Sequence, residues 1–449
     1  MTDQDIRIRL DDLLVWGFAF WPLFWSSWGL FRVPQMIYGI GVTYFVMYVI
    51  VGLAVCLHPK IPVWPMLMWF VFLGVIYLEN LRGRTAQCKR DLLVMLCAVL
   101  FCALMQQQDF NKTMILRCLF WCGMIVAVSV ILDSLTQAFR YDLLGIYTQV
   151  AYRVKNNNQA TGGLLAYTGT AGGIIYTGLG AWLALLGSRE GYASRAVKWG
   201  VIACFAMAAI LILKRGFIVD FIVAGVFLVL LHITKDNISR INMTRLIRGL
   251  FGLIIIVAAF AAAYLTLPMV SGPVDALAAR FSGVDGTMST LSGRTELYAV
   301  AIRLFQQNKL TGVGWGRFRS YTVGFYNRSN AYHFAAHNVY LQVLCETGLF
   351  GFAAFIGAVG AALSWGVVRY RRLLKTAPDT TDRYAAAVGI FLQVFFLAYC
   401  MSGNPLYDYN FLITYFVGIL LTSGNCPGAE KQDTGKENGI IENRHSYIL

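Results

Sequence analysis

A histidine followed by an asparagine, His337-Asn338, stands where a long polar stretch gives way to a long apolar one. Neutral imidazole can accept a proton near pH 7, so histidine is the commonest general base in enzymes. Because the preceding polar stretch is rich in arginine, we predict that His337 is a general base and that Asn338 belongs to a binding site. The alternative is an interfacial histidine that only hydrogen-bonds its neighbours, and for His333 we favour that alternative.

Two arginines are suited to binding a diphosphate. The guanidinium fork matches phosphate oxygens two at a time, and a partly dry setting strengthens the contact. Arg215 lies at a turn between two apolar runs, where a charge is costly and is therefore a functional candidate. Arg294 opens a predicted helical run with Tyr298 one turn later, and both are candidates for the site. The alternatives are structural: an ion pair of Arg215 with Asp220, and a solvated helix face for Arg294.

A glycine-rich segment at 311–317 reads Thr-Gly-Val-Gly-Trp-Gly-Arg. It is not a phosphate loop, because it lacks a preceding strand and a Gly-Lys-Ser ending. The ring of Trp315 could stack on a sugar or could equally be an interfacial anchor. Basic residues near this segment, and in a second segment at 80–91, are further candidates for binding an anionic substrate: Arg317, Arg319, Arg82, Arg84, Lys89 and Arg90.

The composition indicates a membrane protein that must position these residues. Of the 449 residues, 58% are hydrophobic and only 13% are charged, so one soluble core cannot hide the apolar surface. A cytosolic enzyme, a secreted disulfide scaffold and a disordered regulator are excluded. The formal net charge is nevertheless +14. Because the basic residues are dispersed between apolar stretches, nucleic-acid binding is disfavoured.

Apolar runs predict an all-α membrane domain over residues 1–424 with about twelve transmembrane helices. A large, partly helical insert at 269–337 separates helices nine and ten, and a polar tail follows from 425 to 449. The predicted spans are 13–31, 36–56, 62–79, 92–106, 115–135, 163–187, 198–213, 217–233, 246–267, 338–366, 384–402 and 409–424.

Basic residues in short loops orient such a domain, because these loops are retained in the cytoplasm. The loops after helices six, eight and ten are basic and fall on one side together with both termini, so that side is predicted to be cytoplasmic. The insert then faces outside. The basic segment 80–91, a loop between two predicted spans, also falls outside in this topology, which we interpret as binding of an anion. The alternative is that a helix near the N-terminus is wrongly assigned and that the segment lies inside.

Residues 292–351 carry a recognisable set of motifs. They contain Ser-Gly-Arg-Thr-Glu-Leu-Tyr, then Thr-Gly-Val-Gly-Trp-Gly, then His-Asn-Val-Tyr-Leu-Gln-Val-Leu-Cys-Glu-Thr-Gly-Leu-Phe-Gly. This region resembles the signature of the bacterial O-antigen ligase and O-antigen polymerase superfamily. The helix number, the large insert before helix ten and the Lys-Arg-Gly turn at 214–216 extend the resemblance loosely over most of the chain.

The resemblance implies a GT-C-like glycosyltransferase of the inner membrane with a site that faces the periplasm. Such enzymes move a glycan from undecaprenyl diphosphate to an acceptor sugar, which is lipid A–core for a ligase and another lipid-linked repeat unit for a polymerase. His337 matches the family's general base, and Arg215 and Arg294 match its essential arginines. The resemblance implies direct displacement with inversion and no metal or other cofactor. The ligase is slightly favoured; the alternatives are a polymerase, a transporter of lipid-linked sugars and an inactive relative used in assembly.

Overall fold

The computed structural model describes residues 9–26, 38–60, 66–82, 86–136, 162–165, 168–188, 194–212, 214–232, 275, 290–322, 334–377 and 380–424. Every regular element among them is helical. The α-helices are α1 (Leu10–Ser26), α2 (Tyr38–Leu57), α3 (Leu67–Arg82), α4 (Ala86–Met105), α5 (Lys112–Leu135), α6 (Thr168–Gly187), α7 (Arg195–Leu211), α8 (Arg215–His232), α9 (Thr290–Gln307), α10 (Val339–Thr376), α11 (Thr381–Cys400) and α12 (Tyr409–Leu421). Short 3₁₀ turns span Phe318–Thr322 and Pro405–Tyr407.

The helices follow the apolar runs of the sequence. Helices α1 to α8 and α10 to α12 each coincide with a predicted span, and α9 is the helical part predicted for the insert. The predicted span 246–267 and the polar tail at 425–449 lie outside the described residues. The all-helical prediction is thus confirmed for the part of the chain that the structure describes.

Several of the described helices have the length and surface of membrane spans. Four of them, α5, α6, α10 and α11, are long and apolar enough to cross a bilayer, and four more contain shorter apolar stretches. Large apolar side chains also point away from the protein: Trp121 is 59% exposed, Val226 52% and Leu230 64%. An outer surface of this kind suits contact with lipid, and the chain is an integral membrane protein.

Helix α12 lies at the centre of the bundle and packs against α11, α1 and α4. Nearly all of its side chains are buried. Its contact with α11 is close because Gly389 and Gly418 face each other: a Cβ atom on either would meet the carbonyl oxygen of the other. Without a strong hydrophobic drive between helices in lipid, small residues stabilise pairs by allowing such close approach.

Three contacts define one end of the bundle, which we call the terminal end. They join Asn111 N to Asp12 Oδ1 at 2.6 Å, Lys112 Nζ to Asp382 Oδ1 at 2.8 Å, and Gly424 N to Gln106 O at 3.0 Å. The beginning and the end of the described chain therefore lie together here, beside the junction of α10 and α11. We call the opposite end, where α9 lies, the insert end.

The prediction of a loop at 80–91 is wrong, because residues 80–82 end α3 and residues 86–91 begin α4. At the start of α4 the fully buried carboxylate of Asp91 accepts hydrogen bonds from Trp315 Nε1 at 3.0 Å and from Tyr409 OH at 2.7 Å. Both partners belong to the insert end. The start of α4 therefore lies beside the insert, and the alternative that placed it at the opposite end is wrong.

Candidate functional site

The candidate site is built on a break in α10. Gly348 has φ 65° and ψ −164°, so the helical hydrogen-bond ladder is interrupted there. The carbonyl oxygens before the break accept hydrogen bonds from the glycine-rich segment instead, from Val313 N to Cys345 O at 2.9 Å and from Gly314 N to Glu346 O at 2.8 Å. The glycine-rich segment is thereby fixed to the membrane helix that follows His337.

Helix α9 lies over the same region and presents Arg294. Its buried stripe, Leu297, Ala301 and Leu304, forms a small core with residues of the 3₁₀ turn and of the 334–345 segment. These positions share one helical face, and Arg294 precedes Leu297 by three residues on that face. The same periodicity that buries the apolar stripe therefore turns the half-buried Arg294 towards the site.

The backbone of His337 is strained. Its φ is 54°, and it is the one non-glycine residue with positive φ among the described residues. The left-handed region is uncommon for such residues and persists where surrounding structure enforces it, as at functional sites. Hydrogen bonds on both sides enforce it here: Ala336 N donates to Gln342 Oε1 at 3.0 Å, and Leu341 N donates to Asn338 Oδ1 at 3.1 Å. Asn338 is thus the N-cap of α10.

Cations surround the imidazole of His337. Burial of the ring is the main reason that the pKa of His337 is lowered to about 4. The positive charges of Arg294, Lys214 and Arg319 lower this pKa further. The site therefore combines a neutral imidazole with positive charge from three separate elements, which suits a proton acceptor beside a polyanion.

A buried carboxylate ties these elements together. Glu346 is fully buried; its Oε1 accepts from Phe318 N at 3.1 Å and Gln342 Nε2 at 3.2 Å, and its Oε2 accepts from Tyr407 OH at 2.7 Å. The 3₁₀ turn of the insert, α10 and the turn between α11 and α12 thus converge on one side chain. Breaking such a network leaves buried polar groups unpaired, so it favours one arrangement of the site.

The structure favours an anchoring role for Trp315 over the predicted sugar-stacking role. The ring is 1% exposed and lies within the main apolar core. It stacks on Tyr407 with centroids 4.8 Å apart, and its indole N–H donates to Asp91. A ring enclosed on this scale has no free face for a ligand.

The structure places the other predicted residues differently. His337, Arg294 and Arg319 are brought together, while Tyr298 and Arg317 are half-buried at the insert end, and Lys89 and Arg90 are exposed on the first turn of α4. Among the described residues, Lys89 and Arg90 are not in the set of charges that act on His337. For Arg215 and Arg82 the backbone is described, as the first residue of α8 and the last of α3, but the side chain is not. Arg84 and His333 lie outside the described residues.

Several site residues were missed by the sequence analysis. Lys214 directly precedes Arg215 and acts on His337, and Asn404 Nδ2 lies 3.4 Å from His337 Nδ1. Gln342 and Glu346 continue the Asn338 face of α10 at intervals of four residues, a spacing that could have identified them. No local signal pointed to Asn404, because it is distant in the sequence.

A comparison with protein families finds a match in the region of the chain that contains most of these residues. Residues 200–356 match the family model described as O-antigen ligase. The matched segment belongs to the O-antigen ligase and polymerase superfamily. It contains Lys214, Arg215, Arg294, Arg319 and His337, and it ends before Asn404. No curated protein matches the chain significantly.

The family match indicates the class of chemistry. The family supports a glycosyltransferase of the O-antigen ligase or polymerase type that acts on lipid-linked glycans. No cluster of three or more His, Cys, Asp or Glu side chains suited to a metal ion occurs within the described part of the chain. The described site has instead one imidazole and several cations.

Proposed function

We propose that this protein transfers a glycan from undecaprenyl diphosphate to the hydroxyl of an acceptor sugar, with His337 as general base. The observation that carries the proposal is the position of His337, which is strained, half-buried and surrounded by Arg294, Lys214 and Arg319. A base beside a group of cations suits a reaction that removes a proton from the acceptor while a diphosphate departs.

The proposed step is a single displacement. The acceptor oxygen forms a bond to the anomeric carbon as the bond from that carbon to the diphosphate oxygen breaks, so the configuration inverts. His337 takes the proton from the acceptor hydroxyl. Undecaprenyl diphosphate leaves with the bonding electron pair, and the guanidinium groups of Arg294 and Arg215 stabilise the charge that develops on it. The cations would thus supply the stabilisation without requiring a metal.

Donor binding would also prepare the base. The cations near His337 lower its pKa while no anion offsets them. A bound diphosphate places negative charge close to the same cations and to the imidazole, which favours the imidazolium form. The pKa of His337 therefore rises when the donor binds, and the residue becomes a stronger base at the moment when it is needed.

The absolute orientation is also a proposal. Basic residues occur at the terminal end, including Arg371, Arg372 and Lys375 in the last turns of α10, where the sequence analysis expected a loop. The positive-inside rule then favours a cytoplasmic terminal end and a periplasmic insert end. With an inner-membrane location, the site would meet the glycan at the outer face of that membrane.

Of the two superfamily activities, we propose the ligase, with lipid A–core as the acceptor, and retain the polymerase as the alternative. The deciding experiment is a transfer assay with purified protein and an undecaprenyl-diphosphate glycan, offered lipid A–core in one reaction and a second lipid-linked repeat unit in another. A product on lipid A–core supports the ligase, and elongation of the lipid-linked glycan supports the polymerase. Movement of unaltered donor across vesicles without either product would support a transporter instead.

A further inference from the structure

The turn between α11 and α12 places the side-chain amide of Asn404 next to the imidazole of His337. Asn404 follows His337 by 67 residues in the sequence, yet its Nδ2 is 3.4 Å from His337 Nδ1. The turn follows the end of α11 and continues into the Pro405–Tyr407 3₁₀ turn. It lies outside the segment that matches the family model.

The other atom of this amide is buried without a partner. Asn404 Oδ1 has no hydrogen-bond partner among the described residues. Buried polar atoms are normally paired, and an orphaned one calls for a physical reason. Half a turn of the amide about χ2 would bring Oδ1 to Nδ1 of His337, where it can accept a hydrogen bond from Nδ1–H. Oδ1 would then have a donor, and Nδ2 would take the position that Oδ1 now occupies.

The orientation of the amide decides which nitrogen of His337 can act as a base. Neutral imidazole carries one proton, and a hydrogen bond to one nitrogen selects the tautomer. If Nδ1 accepts from the Asn404 amide, the proton is on Nε2, which is then a donor. If Nδ1–H donates to Asn404 Oδ1, Nε2 keeps its lone pair and can accept the proton of an acceptor hydroxyl.

We propose that Asn404 is a positioning residue that accepts a hydrogen bond from His337 Nδ1–H and thereby holds Nε2 ready as the general base. This inference rests on the proposed function of His337. Asn404 touches neither donor nor acceptor in this account and acts only through the imidazole.

The turn is rigid enough for this task. The carbonyl of Asn404 accepts a hydrogen bond from Tyr407 N at 3.1 Å, and Gly403 N donates to Tyr399 O at 2.8 Å. The hydroxyl of Tyr407 is held by the buried carboxylate of Glu346. Glu346 belongs to α10, the helix that follows His337. The turn with the Asn404 amide and the helix next to the imidazole are therefore joined through one side chain.

The test uses two substitutions in the full-length protein. Asn404→Leu preserves the approximate volume but removes the acceptor, whereas Asn404→Asp retains an acceptor for Nδ1–H. We expect Asn404→Leu to lower kcat by on the order of 10²-fold, within the range associated with general-base catalysis, with little change in KM for the donor. Asn404→Asp should retain most of the turnover. Asn308→Leu, at the exposed residue that follows α9, is the matched control and should leave both constants unchanged.

The pH profile separates positioning from packing. The charges that face His337 are Arg294 of α9, Lys214 before α8 and Arg319 of the 3₁₀ turn, and all are cations. An aspartate at 404 adds an anion against Nδ1, which stabilises the imidazolium. The acid limb of kcat in Asn404→Asp should therefore move to higher pH. An unmoved limb would overturn the inference, and this readout remains decisive if Asn404→Leu does not fold.

A double substitution distinguishes this inference from the proposed function itself. If Asn404 acts through His337, Asn404→Leu should cost nothing further in a His337→Ala background. Wild-type kcat in Asn404→Leu, or full additivity with His337→Ala, would overturn the role of Asn404 while leaving the base in place. Wild-type transfer by His337→Ala alone would overturn both.

Discussion

Gly312 and Gly348 fasten the insert to the broken helix α10, each in a left-handed backbone conformation with φ 70° and 65°. A Cβ atom on Gly312 would meet the backbone of Glu346, and a Cβ atom on Gly348 would meet the backbone of Leu310. Both the conformation and the space therefore require glycine. The motifs Thr-Gly-Val-Gly and Glu-Thr-Gly therefore pack directly against each other.

Gly348→Ala should loosen this contact. The φ and ψ of Gly348 belong to a region populated almost only by glycine, so alanine costs roughly 1–3 kcal/mol before the steric conflict is counted. We expect a lower thermal midpoint in detergent and a loss of transfer activity. Gly360→Ala, on the same helix with open space around its Cα, is the matched control and should resemble wild type. Equal midpoints and activities for Gly348→Ala and wild type would contradict the docking role.

Arg294→Lys tests the need for a guanidinium fork. Lysine keeps the positive charge but cannot hold two phosphate oxygens in one plane. We expect a loss of about 10²-fold in kcat/KM for the lipid-linked donor, comparable to removal of one preorganised donor to a developing anion. Arg303→Lys, exposed on the same helix, should have no effect. If both variants turn over like wild type, Arg294 is a structural residue.

The pH dependence should differ between free and donor-bound protein. Transfer requires neutral His337, so activity rises with pH through the pKa of this residue. Since burial and three cations lower the pKa of His337 to about 4, the acid limb of kcat/KM should lie well below 6.5. The limb of kcat should lie higher, because the bound diphosphate favours the imidazolium. If the acid limbs of kcat and kcat/KM coincide, donor binding does not raise the pKa of His337.

Cysteine labelling tests the two ends of the bundle. In a background with Cys56→Ser, which removes the one exposed thiol among the described residues, and Cys426→Ser in the tail, single cysteines would replace Lys89, Arg303 and Arg372. A membrane-impermeant maleimide should label positions 89 and 303 from the periplasm and position 372 only after permeabilisation. Labelling of position 89 together with 372 would contradict the shared location of α4 and the insert.

The sequence predicted the helical bundle well because apolar runs report membrane spans directly. It failed at 80–91, where basic residues suggested a loop. There Lys89 and Arg90 lie on the exposed side of the first turn of α4, and the buried Asp91 is stabilised by Trp315 and Tyr409, which are distant in the sequence. Periodicity cannot report a buried carboxylate whose partners come from other elements.

The site was predictable only where one element carries it. His337 and Arg294 could be proposed from residue type and position, and the structure brings both to one place. Trp315 was open to two interpretations because an aromatic residue in a glycine-rich segment suits a sugar platform and a packing anchor equally. Asn404 and Tyr407 depend on the turn after α11 meeting α10, a tertiary contact that leaves no local pattern.

The central claim is tested most directly by glycan transfer in a His337→Ala variant, measured with purified protein, an undecaprenyl-diphosphate glycan and the two acceptors. His232→Ala is the control, since His232 ends α8 at the terminal end, where its ring lies 3.3 Å from the Tyr370 hydroxyl. We predict that His337→Ala folds and inserts normally but loses roughly 10²- to 10⁴-fold in turnover, while His232→Ala retains it. Wild-type turnover by a folded His337→Ala protein would contradict the account.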